Sequence, residues 1–210
     1  MFVKSIMKPT YKCFTAKKDD RLEGILQMLN EHDIQGVPVL DGDRFLGMLS
    51  RQSIYQGYFE SNEDKDSYLQ TTTAGDIAAN KELTITEDEV FEKTLTAFKG
   101  FPVLAVVDDN DTFKGLVTRF DVLEQFESAF GVKKKGVRIA FTSEESEGRI
   151  ERLGDIIRSH HENVISLATF DETDKLARRI VLKIDKKDNI DKFVDKLEKH
   201  GFRVLDVKEV

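Results

Sequence analysis

The sequence predicts an α/β (α+β) chain in two parts: a duplicated strand–helix–strand–strand–helix module, then a βαββαβ domain of different design. Three observations carry this. A segment near residue 37 returns near residue 104 in the same order and register. Apolar spacing switches between a period of about two and a period of about 3.6 residues along both copies. Beyond residue 136 the order of elements no longer matches the repeat.

In the repeat, Val37-Pro38-Val39-Leu40-Asp41 followed by Phe45-Leu46-Gly47-Met48-Leu49-Ser50-Arg51 matches Leu104-Ala105-Val106-Val107-Asp108 followed by Phe113-Lys114-Gly115-Leu116-Val117-Thr118-Arg119. Each copy reads as an apolar strand, an acidic turn, a second strand and a helix. The turns, Asp41-Gly42-Asp43 and Asp108-Asp109-Asn110-Asp111, have hairpin chemistry. A helix precedes each hairpin. Leu22, Ile25, Leu26 and Leu29 mark one face in the first copy; Val90, Phe91, Leu95 and Phe98 mark it in the second. Thr86 and Glu89 have capping-box spacing at the start of the latter. Leu123, Phe126 and Phe130 form the stripe of the last helix, and all these stripes are expected to be core. The copies are bounded as 1–59 and 74–132, with the polar stretch 60–73 read as a linker with a helical turn.

The tail, 137–210, starts with a strand over Val137–Thr142 and a helix over Glu147–His160 bearing Ile150, Leu153, Ile156 and Ile157. Strands at Val164–Phe170 and Ala177–Asp185 follow, joined by an Asp171-Glu172-Thr173-Asp174 turn. A helix with Ile190, Phe193, Val194 and Leu197 and a strand at Phe202–Val207 complete a ferredoxin-like order.

Composition narrows the function. The net charge is −7 and no basic face is evident, which argues against a nucleic-acid partner. The Lys133-Lys134-Lys135 run reads as a helix end or linker. No run of about 18 apolar residues exists to span a membrane, and MFVKSIMKPT lacks the apolar centre of a signal peptide, so a cytoplasmic protein is expected. The single cysteine, Cys13, reads as a small hydrophobe in an alternating stretch. His160 and His161 are adjacent and point different ways, a poor metal pair, and no metal is expected. Nucleophile-elbow, zinc-protease and P-loop patterns are absent, so no catalytic residue is assigned and a non-enzyme is expected.

The heptapeptides Gly-Met-Leu-Ser-Arg-Gln-Ser (47–53) and Gly-Leu-Val-Thr-Arg-Phe-Asp (115–121), with Gly-Val-Pro-Val-Leu-Asp (36–41), resemble the cystathionine-β-synthase-type (CBS) domain pair. The tail resembles an ACT domain in topology, with Gly148 and Asn163-Val164-Ile165 fitting and Ser143-Glu144-Glu145-Ser146-Glu147 replacing the usual first loop. The order is similar to acetoin-utilisation-type CBS–CBS–ACT regulators.

The resemblance implies two clefts related by pseudo-twofold symmetry. It assigns Asp121 to a ribose diol through both carboxylate oxygens, Thr118 and Arg119 to phosphate, and the free N–H groups of the following helix to the same phosphate. Thr10, Lys12 and Cys13 would edge the base, with Gln35, Gly36 and Val37 as its other wall. Ser50, Arg51 and Ser53 would form a weak second cleft, and Arg51 and Arg119 would face a shared central region. An isolated Thr-x-x-Asp is otherwise only a helix cap. The resemblance points to a regulatory sensor of AMP, ADP, ATP or a related adenosyl ligand, with no catalytic cofactor. It also points to a homodimer acting on an enzyme or transporter. The alternatives are cyclic di-AMP, a ligand-free dimerisation module, and amino-acid sensing around Glu144–Arg149 and Asn163.

Overall fold

Short strands and amphipathic helices alternate through the first part of the chain, in a computed structural model that describes residues 1–144, 146–172 and 177–210. The chain divides into Met1–Leu123 and Glu124–Val210. In the first unit, β1 (Lys8–Pro9) and β2 (Ala16–Lys17) precede α1 (Leu22–Glu31). The hairpin of β3 (Gly36–Asp41) and β4 (Arg44–Ser50) runs into α2 (Arg51–Glu60). Then come α3 (Lys65–Thr71), α4 (Ala74–Ile77), β5 (Thr84–Ile85), α5 (Thr94–Ala97), β6 (Val103–Val107) and β7 (Phe113–Thr118), which leads into α6 (Arg119–Ala129). One sheet is ordered β2-β3-β4, the other β1-β7-β6-β5.

The two copies exchange their leading segments. β1 stands at the start of the first copy yet pairs with β7 of the second, Lys8 opposite Leu116 and Pro9 opposite Gly115. At the equivalent place in the other sheet, Ala79 bridges to Met48 of β4. The hairpins also trade bonds: Phe45 N–H donates to Asp111 O (2.9 Å) and Phe113 N–H to Asp43 O (2.8 Å). Glycine makes this possible. A Cβ on Gly115 would lie 2.2 Å from Lys8 O, and one on Gly47 would lie 2.7 Å from Ala79 O. Both are inside van der Waals contact with backbone, which cannot swing away.

Around these sheets, α1 is as its stripe predicts: Leu22, Ile25, Leu26 and Leu29 are buried with Val37, Val39, Leu49 and Ile54. The joining segment departs from the linker reading. α3 is a full helix whose Tyr68 and Leu69 enter the same core, so a polar sequence hides two apolar anchors. The second copy's helix also differs. Thr86 and Glu89 form only a turn, and the helical segment opens as a 3-10 turn after Val90. Phe91 and Phe98 are buried while Val90 and Leu95 are exposed. On α6, Leu123 is 59% and Phe120 71% exposed, and Phe130 is also exposed. Helical spacing states that a face is apolar, not that something in the same chain covers it.

In the second unit, β8 (Val137–Glu144), α7 (Arg149–Ser159), β9 (Val164–Glu172), β10 (Ala177–Ile184), α8 (Ile190–Lys199) and β11 (Arg203–Glu209) follow the expected βαββαβ order. The sheet order β11-β8-β10-β9 is all antiparallel and ferredoxin-like. Val137, Ile139 and Phe141 of β8 and Ile180, Leu182 and Ile184 of β10 alternate inward and pack on Leu153, Ile156, Phe193 and Leu197. Ile150, assigned to that stripe, is exposed. β9 continues through Asp171 and Glu172 rather than turning there; Thr173 and Asp174 lie outside the described residues. Lys133 is answered by Glu124 and Glu127, each at 3.6 Å. Among the described residues no helix is long and apolar enough to cross a membrane, and no His, Cys, Asp and Glu cluster could hold a metal ion.

Two glycines should respond to alanine with opposite signs in chemical denaturation of the full chain. Gly115→Ala should cost about 1–3 kcal/mol by overpacking against Lys8 O. Gly24→Ala, inside α1 with open space at its Cβ, should add about 0.5–1 kcal/mol. A third test concerns Asp108, whose carboxyl the Lys114 ammonium and the Thr112 and Asn110 N–H groups hold below its ordinary range. Its contribution is complete above that range and is lost as pH falls below it, through the depressed folded-state value. The urea midpoints of wild type and Asp108→Asn should therefore differ most near neutrality and converge in acid.

Candidate functional site

The end of β7 and the start of α6 form a reciprocal cap. Asp121 Oδ2 accepts from Thr118 N–H (2.8 Å) and from Thr118 Oγ1 (2.6 Å), and Asp121 N–H donates to Thr118 Oγ1 (3.1 Å). Such a cap contributes about 1 kcal/mol and places an anion at a helix N-terminus, where the dipole favours it. Two expectations change as a result. Oδ2 is committed to the cap, so only Oδ1 is open to a hydroxyl pair. The helix N–H groups expected to be open are partly taken: Arg119 N–H donates to Pro102 O (3.1 Å) and that of Asp121 to Thr118.

Oδ1 faces the exchanged leader. Lys8 Nζ lies 3.7 Å from it, with the Lys8 side chain 49% and the Asp121 side chain 13% exposed. Cys13 belongs to the same group. It follows a 3-10 turn, Thr10–Lys12, rather than lying in a strand, and its thiol donates toward Lys8 O and Pro9 O, both at 3.3 Å. Burial pushes the Cys13 thiol up; a backbone bond at Leu116 and the Lys8 charge pull the other way, and Asp121 adds to the rise. Thr10 Oγ1 donates toward Phe113 O at 3.5 Å, a weak tie to β7. Lys12 is exposed with its ammonium over the Tyr11 ring. The fold therefore gathers Lys8, Thr10, Cys13, Thr118 and Asp121.

It does not gather the remaining residues there. Gly36 pairs with Ser50, so Gln35, Gly36 and Val37 belong beside the other junction. A Cβ on Gly36 would meet Leu49 O at 2.8 Å and Phe101 Cζ at 2.9 Å. The room expected for a base above this glycine is filled by the Phe101 ring. The two arginines do not face a shared centre. Arg51 turns to Asn30 and Asp33 at the end of α1, which supply acceptors (3.4 and 3.5 Å). Arg119 lies over the Phe98 ring, 5.6 Å from its centroid, and lines a cavity with Leu95, Lys99, Val122 and Leu123. At the second junction Ser50 and Ser53 form the same cap with neutral groups: Ser53 N–H donates to Ser50 Oγ (3.0 Å) and Ser50 N–H to Ser53 Oγ (2.9 Å).

In the tail, a cavity of about 430 Å³ is lined by Ser143, Glu144, Ser146, Glu147, Arg149, Ile150, Arg178 and Ile180. Its Arg149 is already occupied. The guanidinium donates to Ser143 Oγ (2.7 Å), His200 O (3.3 Å) and Gly201 O (2.7 Å) and stacks over Phe202. Asn163 is tied to Asp185 Oδ2 at 2.7 Å. Both residues brace the domain, which leaves little for an amino-acid ligand.

Lys8 escaped the sequence reading because it lies outside the repeated heptapeptides. Its only advance signal was position: it stands two residues ahead of Thr10 in a segment already assigned to the cleft.

Known proteins share the family and the fold. The CBS domain family model matches residues 3–59 and 74–128. An inosine-5'-monophosphate dehydrogenase of Korarchaeum cryptofilum (strain OPF8) is 27% identical over 163 residues, which is 72% of this chain and 33% of that protein. The chain thus spans about a third of the length of this curated relative. CBSX2, solved in complex with AMP, is similar with a TM-score of 0.53 and 21% identity over 63% of this chain and 98% of that one. CbpB, solved in complex with c-di-AMP, has a TM-score of 0.54 and 19% identity over 61% and 85% of the two chains. At these identities the likeness establishes fold.

Cys13 offers a direct probe of this corner. With its thiol raised and half-buried, alkylation by iodoacetamide at neutral pH should run more slowly than for an unstructured cysteine, because only the thiolate reacts. Mass spectrometry of timed samples reads this, and urea should restore the ordinary rate.

Proposed function

Since this chain belongs to the CBS-domain family, with one copy at residues 3–59 and another at 74–128, we propose that its first part is a regulatory sensor of an adenine nucleotide. The ligand is AMP, ADP, ATP or a related adenosyl compound, held at the Thr118–Asp121 junction. The observation that carries the reading is Asp121 Oδ1, a shielded carboxylate oxygen outside the cap, beside the exchanged leader. One such oxygen has two lone pairs and accepts from both hydroxyls of a ribose diol. The adenine-nucleotide complexes of CBSX2 and CbpB support the ligand class. Ser53 offers no charge at the second junction, so one nucleotide binds per chain. Cyclic di-AMP has no free diol and would lean on Arg119, which is placed over Phe98.

The copies run over 1–59 and 74–132, joined by 60–73, and 137–210 is an ACT-type domain, as in CBS–CBS–ACT regulators of the acetoin-utilisation type. The protein acts without catalysis as a cytoplasmic homodimer that reports to an enzyme or transporter. The apolar Phe59, Phe120 and Leu123, exposed on α2 and α6, support the dimer. Ligand shifts the output by binding one arrangement of the chain better than another.

Thermal unfolding with AMP, ADP, ATP and cyclic di-AMP tests the reading. A ligand at 100 times its Kd should add about 2.7 kcal/mol. Asp121→Ala should lower the ligand-free midpoint through the lost cap and abolish the ligand-dependent gain. An unchanged gain in that variant removes Asp121 from the site, and flat titrations of wild type with all four nucleotides reject the sensor.

A further inference from the structure

The two junctions of the first unit share a backbone and differ in charge. At one, Lys8 stands opposite Leu116 and Asp121 occupies the third position of the helix. At the other, Ala79 stands opposite Met48 and Ser53 occupies that position. The register makes Lys8 and Ala79 equivalents, as it does Asp121 and Ser53. A cation and an anion therefore occur together at one junction and are both missing from its mate. The pair is also poorly satisfied. At 3.7 Å, Lys8 and Asp121 attract without a close hydrogen bond, and the ammonium is half exposed and free to turn.

The phosphate of a nucleotide needs positive charge, and the expected sources are spent. Arg119 N–H and Asp121 N–H are already bonded, and the Arg119 guanidinium lies over Phe98. Lys8 is the cation left at this corner. Its ammonium has three donors on a flexible four-carbon stem.

We infer that Lys8 is the charge selector of this site, favouring nucleoside phosphates over nucleosides by exchanging Asp121 for the ligand's phosphate. This rests on the adenine-nucleotide reading. In the empty junction Lys8 screens Oδ1. When a phosphate arrives, the ammonium turns to it and Oδ1 is released to the ribose hydroxyls. A nucleoside without phosphate must displace Lys8 with no compensating charge. Selectivity thus comes from one residue that lies outside both repeated heptapeptides.

The test is calorimetric titration of the full chain with AMP and with adenosine at low and moderate salt. Wild type should bind AMP at least about tenfold more tightly than adenosine, the order of one charge-assisted contact, and the margin should shrink as salt rises. Lys8→Met and Lys8→Gln should collapse the margin to within about threefold while adenosine binding holds or tightens, because Asp121 loses its competitor. Lys8→Arg should restore most of it. β1 pairs through backbone atoms, so these variants keep the strand, and circular dichroism checks each one. A full AMP margin in both neutral variants, or equal binding of AMP and adenosine by wild type, overturns the selector and leaves the sensor standing. Wild type that binds neither compound overturns the selector, and the sensor reading falls with it only if ADP, ATP and cyclic di-AMP titrations are flat as well.

Discussion

Two close approaches of backbone to glycine decide how the first unit is assembled. Lys8 O sits over Gly115, and Ala79 O over Gly47. In each, a carbonyl occupies the place of a missing Cβ. Any other residue would push the incoming segment outward and weaken its pairing with the strand below. The candidate site depends on the first contact directly. Lys8, Thr10 and Cys13 are far from Asp121 in sequence and reach it only because β1 is pressed on β7. Much else follows: the reciprocal hairpin bonds at Phe45 and Phe113 hold the same two halves in the same relation.

The extent to which this was legible in the sequence varies by element. The repeat was plain, since both heptapeptides carry glycine, two apolar residues and a capping hydroxyl in one order. The tail was also plain, because its period switches cleanly between strand and helix. Exchange was not legible. Pairing of Pro9 with Gly115 depends on a distant partner, and two-residue strands leave no periodic signal. The reading of α3 failed because Tyr68 and Leu69 are two anchors in an otherwise polar run. The reading of α6 failed in the opposite sense: Leu123 and Phe130 of its apolar stripe look like core and are exposed. The shared centre expected for Arg51 and Arg119 followed from symmetry alone. Local partners outweighed it, acceptors at Asp33 and Asn30 in one case and the Phe98 face in the other.

At the junction itself, a helix cap does not use up the carboxylate. Asp121 caps with one oxygen and turns the other toward Lys8. Ser50 and Ser53 show the same cap with no oxygen of that kind to spare, so the cap belongs to the frame and the charge to one end of it. The tail teaches a related lesson. Arg149 looked available for a ligand by position and is spent on Ser143 of β8 and on the turn between α8 and β11, with Phe202 beneath it.

The exchange of leading segments has a topological consequence. Residues 1–4 hydrogen-bond to the segment around Glu89, and Ala74 and Gly75 bond back to Asp20 and Lys18. A fragment stopping after α2 would keep its own hairpin and lose the clasp that residues 74–79 place on it. A fragment beginning at α4 would lack the outermost strand of its sheet. The border between the copies is therefore a border of duplication and not of folding. Neither half is a transplantable module, and grafting this paired architecture elsewhere requires taking both halves in one piece.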